Sequence, residues 1–317
     1  MKIVVTGASG FIGAHLVMVL AKAGYEVTAV CGNNPAAAEV LESAFRVTPA
    51  DLADPAASDA LIGEAAPHVI IHAAAMARPE ACALNPQVAQ EVNVRTTRNL
   101  IAAATTIDAA ERPLFLQIST DLVFDGARAP VGGFTEDHTP QPESIYAKTK
   151  RAAEILALEY NGPAIILRIC LCYGRQIGKA ASFLGWIRDS LAAGNEVRSF
   201  TDEWRTPLFV DDLGDAAKRV VQRFEQARFF SAPYELPPLL HIAGGERINR
   251  YQFGLNAAAA FGYPVTLVVP ELRSHSRSAA PRAEDVSLCA ELLRRHLGLE
   301  PQTTIGGLVK IAQEEQG

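Results

Sequence analysis

The chain has 317 residues, of which 49% are hydrophobic and 20% charged, and its formal net charge is −6. This apolar fraction excludes disorder as the main state, and an acidic balance with scattered Lys and Arg speaks against a nucleic-acid binder. No apolar run is long enough for a transmembrane helix, and five scattered cysteines favour a reducing compartment over a disulfide framework. We therefore expect a cytoplasmic globular protein without nucleic-acid or membrane partners.

The first half of the chain alternates short β-rich runs with Ala- and Leu-rich helical stretches. Its opening residues lack the features of a signal peptide and predict a strand. Strands are predicted, in chain order, over Lys2–Thr6, Glu26–Val30, Phe45–Thr48, His68–His72, Leu114–Ser119 and Ala164–Ile169. Helices are predicted between them over Gly13–Ala23, Ala36–Ser43, Ala57–Ala66, Asn85–Thr105 and Ser144–Tyr160. Repeated βαβ units of this kind predict an α/β fold with a Rossmann-type, doubly wound parallel sheet.

After about Cys170 the segments lengthen, and Pro and Gly interrupt them more often. We therefore predict one domain over residues 1–169 and a smaller α/β domain formed mostly by residues 170–317. The run Leu239–Ala243 has the composition of a strand and is expected to rejoin the first sheet.

The sequence TGASGFIG at residues 6–13 lies directly between the first strand and the first helix. Gly7 permits a tight turn, Gly10 lets the backbone approach a pyrophosphate, and Gly13 lets the helix pack against the strand. The helix N-terminus offers free N–H groups and partial positive charge to phosphates. This context predicts that residues 1–169 bind a dinucleotide, with contacts from Gly7, Ser9, Gly10, Phe11, Ile12 and Gly13.

The second strand ends in Cys31-Gly32-Asn33-Asn34, where an NAD-preferring site usually has an acidic residue. Without that acid a 2′-phosphate is not repelled, and Asn33 could donate a hydrogen bond to it or simply form a turn. We therefore expect contacts from Cys31 and Asn33 and a preference for NADP(H), with NAD(H) as the alternative.

Two further strand ends are expected near the cofactor. Asp51 could accept a hydrogen bond from an adenine amino group or cap the next helix, and Leu52 could pack on the ring. The small residues Ala73, Ala74 and Ala75 after the fourth strand would allow close approach of the chain to the cofactor. His72 is interpreted as a hydrogen-bonded core histidine rather than a catalytic group.

Tyr146 and Lys150 are four residues apart on a predicted helix and therefore share a face. A nearby lysine cation should lower the pKa of the phenol from its usual value of about 10, and could also hold the nicotinamide ribose. Thr120 lies at the end of a strand, where its hydroxyl could polarise a substrate carbonyl. These three residues predict a proton relay beside a hydride carrier.

These motifs resemble the extended short-chain dehydrogenase/reductases, in TGASGFIG, Asp51-Leu52, HAAA at 72–75, Asn93 in EVNV, Thr120 and the Tyr146/Lys150 pair. Within that superfamily, residues 119–126 resemble the STDYVFDG segment of dTDP-4-dehydrorhamnose reductases. Glu136, Pro140, Pro142 and the runs 205–213 and 284–288 also resemble that family. The resemblance implies reduction of a ketone on a nucleotide-linked 4-keto-deoxysugar, with Asn93 near the cofactor, Asp121 near the substrate and a homodimer.

The second half of the chain carries the candidate substrate contacts. Arg205 is the best candidate for a substrate phosphate, because related epimerases have an arginine in the corresponding loop. Four other arginines could bind a phosphate or form salt bridges: Arg168, Arg175, Arg188 and Arg282. Tyr173, Phe183 and Trp186 could form walls around a ring or belong to the core. Cys170 and Cys172 are too isolated to predict a zinc site.

Other functions remain open at this level. Leu122 stands where the reductases have tyrosine, and where 4,6-dehydratases have a second acid, so a dehydratase is disfavoured. An NAD-dependent nucleotide-sugar 4-epimerase would use the same Tyr and Lys. A regulatory subunit like that of methionine adenosyltransferase shares the fold and acts mainly through a partner. Ala147 and Thr149 replace the usual Gly and Ser of the Tyr/Lys motif, a small-for-small exchange.

Overall fold

The structure is a computed structural model that describes residues 1–32, 46–127, 129–177, 182–230, 234–276 and 278–315. The predicted helix Ala36–Ser43 and the predicted cofactor contact Asn33 lie outside these residues.

The described strands are, in chain order, β1 (Lys2–Thr6), β2 (Glu26–Cys31), β3 (Arg46–Pro49), β4 (Val69–His72), β5 (Leu114–Thr120), β6 (Ala164–Ile169), β7 (Cys172–Tyr173), β8 (Val197–Phe200), β9 (Trp204–Arg205), β10 (Leu208–Phe209), β11 (Leu239–Ile242), β12 (Ile248–Asn249) and β13 (Val268–Glu271). The helices are α1 (Phe11–Lys22), α2 (Pro55–Ala65), α3 (Pro79–Leu84), α4 (Pro86–Gln90), α5 (Thr96–Thr105), α6 (Ile145–Leu158), α7 (Phe183–Ala192), α8 (Val210–Phe230), α9 (Arg250–Ala260) and α10 (Thr304–Glu314).

Seven of these strands form one parallel sheet in the order β11-β6-β5-β4-β1-β2-β3. The order reverses between β4 and β1, so the carboxyl ends of these two strands flank the crevice where ligands bind in such sheets. The predicted Rossmann-type fold is confirmed. The strand predicted near residue 240 is β11, which pairs in parallel with β6, for example Leu240 with Leu167.

Helices cover both faces of the sheet because successive strand residues point to opposite sides. Ile3 and Val5 pack with Leu16 of α1 and with the apolar side of α8. Val4, between them, faces the opposite cluster, which includes Leu61 of α2. Because both faces of the sheet are apolar, helices pack on both sides and bury it, as is typical of parallel sheets.

The carboxyl-terminal segments form a separate apolar cluster that includes Tyr173, Ile187 and Phe253. Here β8 pairs in parallel with β13, and α7, α9 and α10 surround the pair. Among the described residues, no helix is both long and apolar enough to cross a membrane.

Several predicted features of the helices differ from the structure for local reasons. Helix α1 begins at Phe11 rather than Gly13, because Gly10 is its N-cap. The N-cap of α2 is Asp54, whose side chain accepts from the backbone N–H of Ala56, so Asp51 does not cap this helix. The predicted long helix Asn85–Thr105 is divided by a π-helical turn over Glu91–Arg95.

Candidate active site

The glycine-rich turn has the packing that its sequence predicts. Gly7 has φ +68°, and a Cβ there would lie 2.6 Å from the backbone N of Ala74. A Cβ on Gly13 would lie 2.2 Å from the carbonyl O of Gly7, so the turn and the helix touch through glycine alone. Gly10 is exposed, and no side chain caps α1, so no side-chain cap competes with an anion for the N–H groups of its first turn. This cradle fits a dinucleotide pyrophosphate.

The ends of β2 and β3 line the same edge of the sheet. Cys31 is buried at the end of β2, and burial raises the pKa of its thiol. Asp51 is exposed, and its Oδ1 accepts from the N–H of Ala53 at 3.1 Å. Leu52 is buried in the cluster with Leu61, and its carbonyl accepts from Asn99 at 2.9 Å. Asp51 is thus available to a ligand, whereas Leu52 is largely occupied by the core.

His72 is a hydrogen-bonded core histidine, as predicted. Its Nδ1 lies 2.7 Å from Thr6 Oγ1, and its Nε2 lies 3.3 Å from Thr96 Oγ1. Burial, followed by the charge of Lys150, lowers the pKa of the imidazole to about 3. Thr6 also accepts from the N–H of Ala74 at 3.2 Å, so His72 helps to fix the loop beside the glycine turn.

Asn93 lies in the π-helical turn and connects two parts of the site. Its Oδ1 accepts from the N–H of Met76 at 2.7 Å, and its Nδ2 donates to Thr149 Oγ1 at 2.9 Å. The side chain therefore ties the loop after Ala73–Ala75 to helix α6 from a fully buried position. These contacts favour an ordering function over direct contact with a cofactor.

Tyr146 and Lys150 lie on the buried side of α6, with 9% and 3% of their surfaces exposed. Ser144 caps the helix by accepting from the N–H of Ala147, which fixes the first turn that carries Tyr146. The i, i+4 spacing therefore places both side chains on one face, as predicted.

The electrostatics of the pair differ from the prediction. Burial raises the pKa of Tyr146, Asp121 raises it further, and a hydrogen bond with Thr120 only partly counteracts both. The expected net lowering of the phenol pKa by Lys150 is therefore wrong for this structure, because desolvation disfavours a buried phenolate. Burial also lowers the pKa of Lys150 to about 8, with Glu154 opposing that shift.

Thr120 and Asp121 extend the site from the end of β5. Thr120 donates to Asp121 Oδ1 at 3.0 Å and accepts from the N–H of Leu122 at 3.2 Å. Asp121 Oδ2 is buried without a hydrogen-bond partner among the described residues, although Arg205 Nε lies 3.8 Å away. Burial raises the pKa of this carboxyl, and Arg205 opposes the shift.

A cavity of about 640 Å³ opens beside Tyr146. Thr120, Asp121, Leu122 and Ile12 contribute to its wall, so it joins the predicted catalytic residues to the start of α1. Residues from the second half of the chain also line it: Glu203, Arg205, Arg250, Ser278, Ala280, Pro281, Arg282 and Ala283.

Arg205 lines this cavity, but its guanidinium faces protein acceptors. Nη1 donates to the carbonyls of Trp204 at 2.6 Å and Glu284 at 3.4 Å, and Nη2 donates to that of Ala283 at 3.2 Å. Its Nη2 is also 3.4 Å from Glu203 Oε1. A phosphate contact by Arg205 therefore stays a prediction that would require some of these bonds to be exchanged.

The other predicted ligand candidates divide between the cavities and the interior. Arg168 is buried in an ion pair with Glu154, and Tyr173 is fully buried and donates to the carbonyl of Thr304. Arg188 pairs with Glu315. Phe183, Trp186 and Arg282 do line a cavity, one of about 410 Å³ that adjoins the first.

Glu203 and Arg250 are site residues that sequence analysis missed. Glu203 is 1% exposed, and Arg250 Nε donates to its Oε1 at 2.7 Å. Burial would raise the pKa of Glu203, but Arg250 and the neighbouring arginines lower it to about 2. Glu203 and Arg250 are far apart in sequence, so no spacing pattern predicts their contact. The only local signal is that Glu203 is an acidic residue two positions before Arg205. Within the described residues, no group of three metal-ligating side chains occurs.

Comparisons with known proteins agree with this architecture. The sequence model of the family described as "RmlD substrate binding domain" matches residues 1–316. The chain is 28% identical to methionine adenosyltransferase 2 subunit beta of Xenopus tropicalis, over 96% of this chain and 85% of that protein. It is 26% identical to the probable low-salt glycan biosynthesis reductase Agl14 of Haloferax volcanii, over 94% and 93% of the two chains.

The fold is also that of a solved reductase. The structure resembles a dTDP-4-dehydrorhamnose reductase from Bacillus anthracis in complex with NADP, with a TM-score of 0.80 and 22% sequence identity. The match covers 99% of this chain and 100% of the other.

Proposed function

Because the chain belongs to the family of the RmlD substrate binding domain, we propose that it reduces the ketone of a nucleotide-linked 4-keto-deoxysugar with NAD(P)H. The observation that carries this proposal is that Tyr146 and Lys150 are buried on one face of α6, and that Tyr146 shares the wall of a large cavity with Thr120. Relatives described as reductases support the reaction class.

The cofactor would be held by the glycine turn, with Asp51 toward the adenosine and Lys150 toward the nicotinamide ribose. A reduced nicotinamide, when bound there, would supply the hydride. We propose NADP(H) as the preferred form because β2 ends without an acidic residue at Cys31 and Gly32.

Tyr146 is the proposed proton donor to the carbonyl oxygen. Reduction consumes the protonated phenol, and burial raises its pKa, so the phenol carries its proton throughout the neutral range. Lys150, with a pKa of about 8, is charged at neutral pH and stabilises negative charge that develops on the phenolic oxygen. The Thr120 hydroxyl can turn from Asp121 to the substrate oxygen, because a hydroxyl hydrogen rotates freely about its C–O bond.

The decisive experiment compares Tyr146→Phe with the unchanged protein in steady-state reduction of a dTDP-4-keto-6-deoxysugar. Loss of the phenolic hydroxyl should lower kcat at least ~10²-fold, since positioned proton transfer contributes about 10²–10⁴. Binding of NADPH should persist, because the ring still packs. Thr120→Val should lower kcat with little effect on NADPH affinity. Unchanged turnover in Tyr146→Phe would remove this residue from the chemistry.

The 4-epimerase alternative predicts a different cofactor state. An epimerase keeps its dinucleotide through the cycle, so denatured extracts of the purified protein should release NAD. Freely exchangeable NADPH would favour the reductase. Mass spectrometry of such an extract distinguishes the epimerase from the reductase without any assumption about the sugar.

A second candidate function is that of a non-catalytic subunit, favoured by 28% identity to methionine adenosyltransferase 2 subunit beta over nearly the whole chain. A protein that binds NADPH, reduces no nucleotide keto-sugar and coelutes with a methionine adenosyltransferase catalytic subunit would support it.

The proposed homodimer is a separate question. Size-exclusion chromatography with light scattering on the purified protein tests it.

A further inference from the structure

Leu122 lies beside the proposed proton donor on the wall of the cavity of about 640 Å³. It belongs to the short turn after β5, where its N–H donates to Thr120 Oγ1 at 3.2 Å. Leu122 is partly buried and packs against the apolar cluster that contains Tyr146. A substrate whose carbonyl oxygen reaches Tyr146 therefore brings the adjacent part of its ring close to Leu122.

Neighbouring side chains that could form hydrogen bonds are already paired within the protein. The thiol of Cys82, in the same apolar cluster, donates to the carbonyl of Met76 at 3.1 Å. The thiol of Cys172, on the cavity wall, donates to the carbonyl of Cys170 at 3.4 Å. A hydroxyl placed against Leu122 would therefore lose its bonds to water without gaining a partner from these groups.

Apolar surface continues from Leu122 onto the neighbouring strand. Ile169 of β6 is paired with Thr120 in the sheet, and it lines the same cavity. Leu171, two residues further along the chain, also lines the cavity. A ring substituent on this side is accommodated best if it is a hydrogen atom or a methyl group.

One polar group of the same wall is buried and unpaired. Asp121 is 4% exposed, and its Oδ2 has no hydrogen-bond partner among the described residues, although Arg205 Nε lies 3.8 Å away. Such an oxygen is costly to bury unless a ligand donates to it. Thr120 and Tyr146 are assigned to the carbonyl oxygen by the proposed function, so Asp121 Oδ2 is left to accept from one hydroxyl.

We propose that Leu122 determines substrate specificity and selects a nucleotide-linked 4-keto-dideoxyhexose, whose ring carries one hydroxyl where that of a 4-keto-6-deoxyhexose carries two. The remaining hydroxyl donates to Asp121 Oδ2, and the deoxygenated carbon lies against Leu122. The tyrosine of the reductases that this segment resembles would offer a phenolic hydroxyl here, and leucine removes it. This inference rests on the proposed function and narrows its substrate class.

The test measures kcat/KM of the full chain, with NADPH, for dTDP-4-keto-6-deoxyglucose and for its 2-deoxy and 3-deoxy analogues. One analogue should be reduced with a kcat/KM at least about tenfold higher than that of the dihydroxy substrate, because an unpaired hydroxyl weakens binding of the transition state. The preferred analogue identifies the carbon that lies against Leu122.

Variants at this position assign the preference to its side chain. Leu122→Tyr returns a hydroxyl to the wall and should reduce the preference about tenfold. Leu122→Asn has nearly the volume of leucine, adds an amide and should act in the same direction, so it replaces Leu122→Tyr if the larger ring prevents folding. The matched control is Leu158→Tyr on α6, because Leu158 is 46% exposed and lines neither cavity described above. It should keep the preference of the unchanged protein.

The outcomes separate this inference from the proposed function. If the dihydroxy substrate is reduced as well as both analogues, or better, the specificity is overturned and the proposed function stays intact. A preference that persists in both Leu122→Tyr and Leu122→Asn would belong to other residues and would overturn the inference as well. Absence of turnover with all three substrates, in a protein that binds NADPH, would overturn the proposed function together with it.

Discussion

Glu154 and Arg168 form a two-point ion pair in the interior, with Nε–Oε1 at 2.8 Å and Nη2–Oε2 at 2.9 Å. Both side chains are at most 2% exposed. Ser119 donates to the same carboxylate at 2.6 Å, so the pair joins α6, β5 and β6. It lies one turn beyond Lys150 and fixes the helix that carries the proposed catalytic residues.

Glu154→Gln should therefore destabilise the fold strongly. The substitution keeps the shape but leaves the Arg168 guanidinium buried without a countercharge, which costs about 3–5 kcal/mol. Urea denaturation measures the free energy of unfolding. Glu159→Gln, on the exposed side of the end of the same helix, is the control and should change it by less than about 0.5 kcal/mol. Equal effects of the two substitutions would contradict a structural function for the pair.

Two buried histidines, His72 and His241, should make the free energy of unfolding depend on pH. Burial lowers the pKa of His72 and of His241 to about 3, whereas an unfolded histidine titrates near 6.5. Below pH 6.5 the unfolded state binds protons that the native state excludes, so the free energy of unfolding falls as pH falls from 6.5 toward 3.

Each histidine should contribute a slope of about 1 kcal/mol per pH unit near pH 5.5. Urea denaturation between pH 5 and 7 measures it, and His241→Gln should reduce the slope by that amount. His275→Gln is the control, because its side chain is exposed. A slope that is the same in His241→Gln and in the unchanged protein would show that His241 does not resist protonation.

The rate of ketone reduction should depend on the charge of Lys150. With a pKa of about 8, the lysine is a cation below pH 8 and loses its charge above it. We expect kcat to be level near pH 7 and to fall as pH rises through about 8. Arginine keeps its charge at these pH values, so in Lys150→Arg the decrease in kcat should occur at a higher pH, whatever the absolute rate of the variant. If kcat decreases at the same pH in both proteins, the decrease is due to the titration of another group.

Cofactor preference can be tested at Gly32, which is exposed after β2. Among the described residues, no atom lies within 4 Å of a Cβ placed on Gly32, so they leave room for a side chain there. Gly32→Asp should weaken binding of NADPH more than that of NADH, because a carboxylate repels the 2′-phosphate. Gly32→Asn has nearly the same shape without the charge and serves as the control. Fluorescence titration of both cofactors measures the ratio, and an unchanged ratio in Gly32→Asp would place the 2′-phosphate elsewhere.

The sequence could predict those parts of the site that lie within one short segment. The glycine turn and the Tyr146/Lys150 pair have local spacings, and those spacings translate directly into a helix N-terminus and a helix face. The sheet could be predicted for the same reason, since each strand has its own apolar run.

The remaining parts depend on contacts between distant segments. Glu203, Arg250 and Arg282 meet only because three chain segments pack together. The sequence around Arg205 therefore could not predict that its guanidinium contacts protein acceptors such as Glu203. The raised pKa of Tyr146 depends on burial, which spacing does not report. The π-helical turn that aims Asn93 also depends on tertiary contacts, with Met76 and Thr149.

The pairing of β11 with β6 affects the folding of the chain during its synthesis on the ribosome. Strand β6 ends at Ile169, but its outer neighbour begins at Leu239, after α7 and α8 have been synthesised. During that interval β6 presents an unpaired, apolar edge that can recruit another nascent chain. Truncation at residue 169 would make this transient edge permanent, so such a fragment should aggregate rather than fold as an independent cofactor-binding unit.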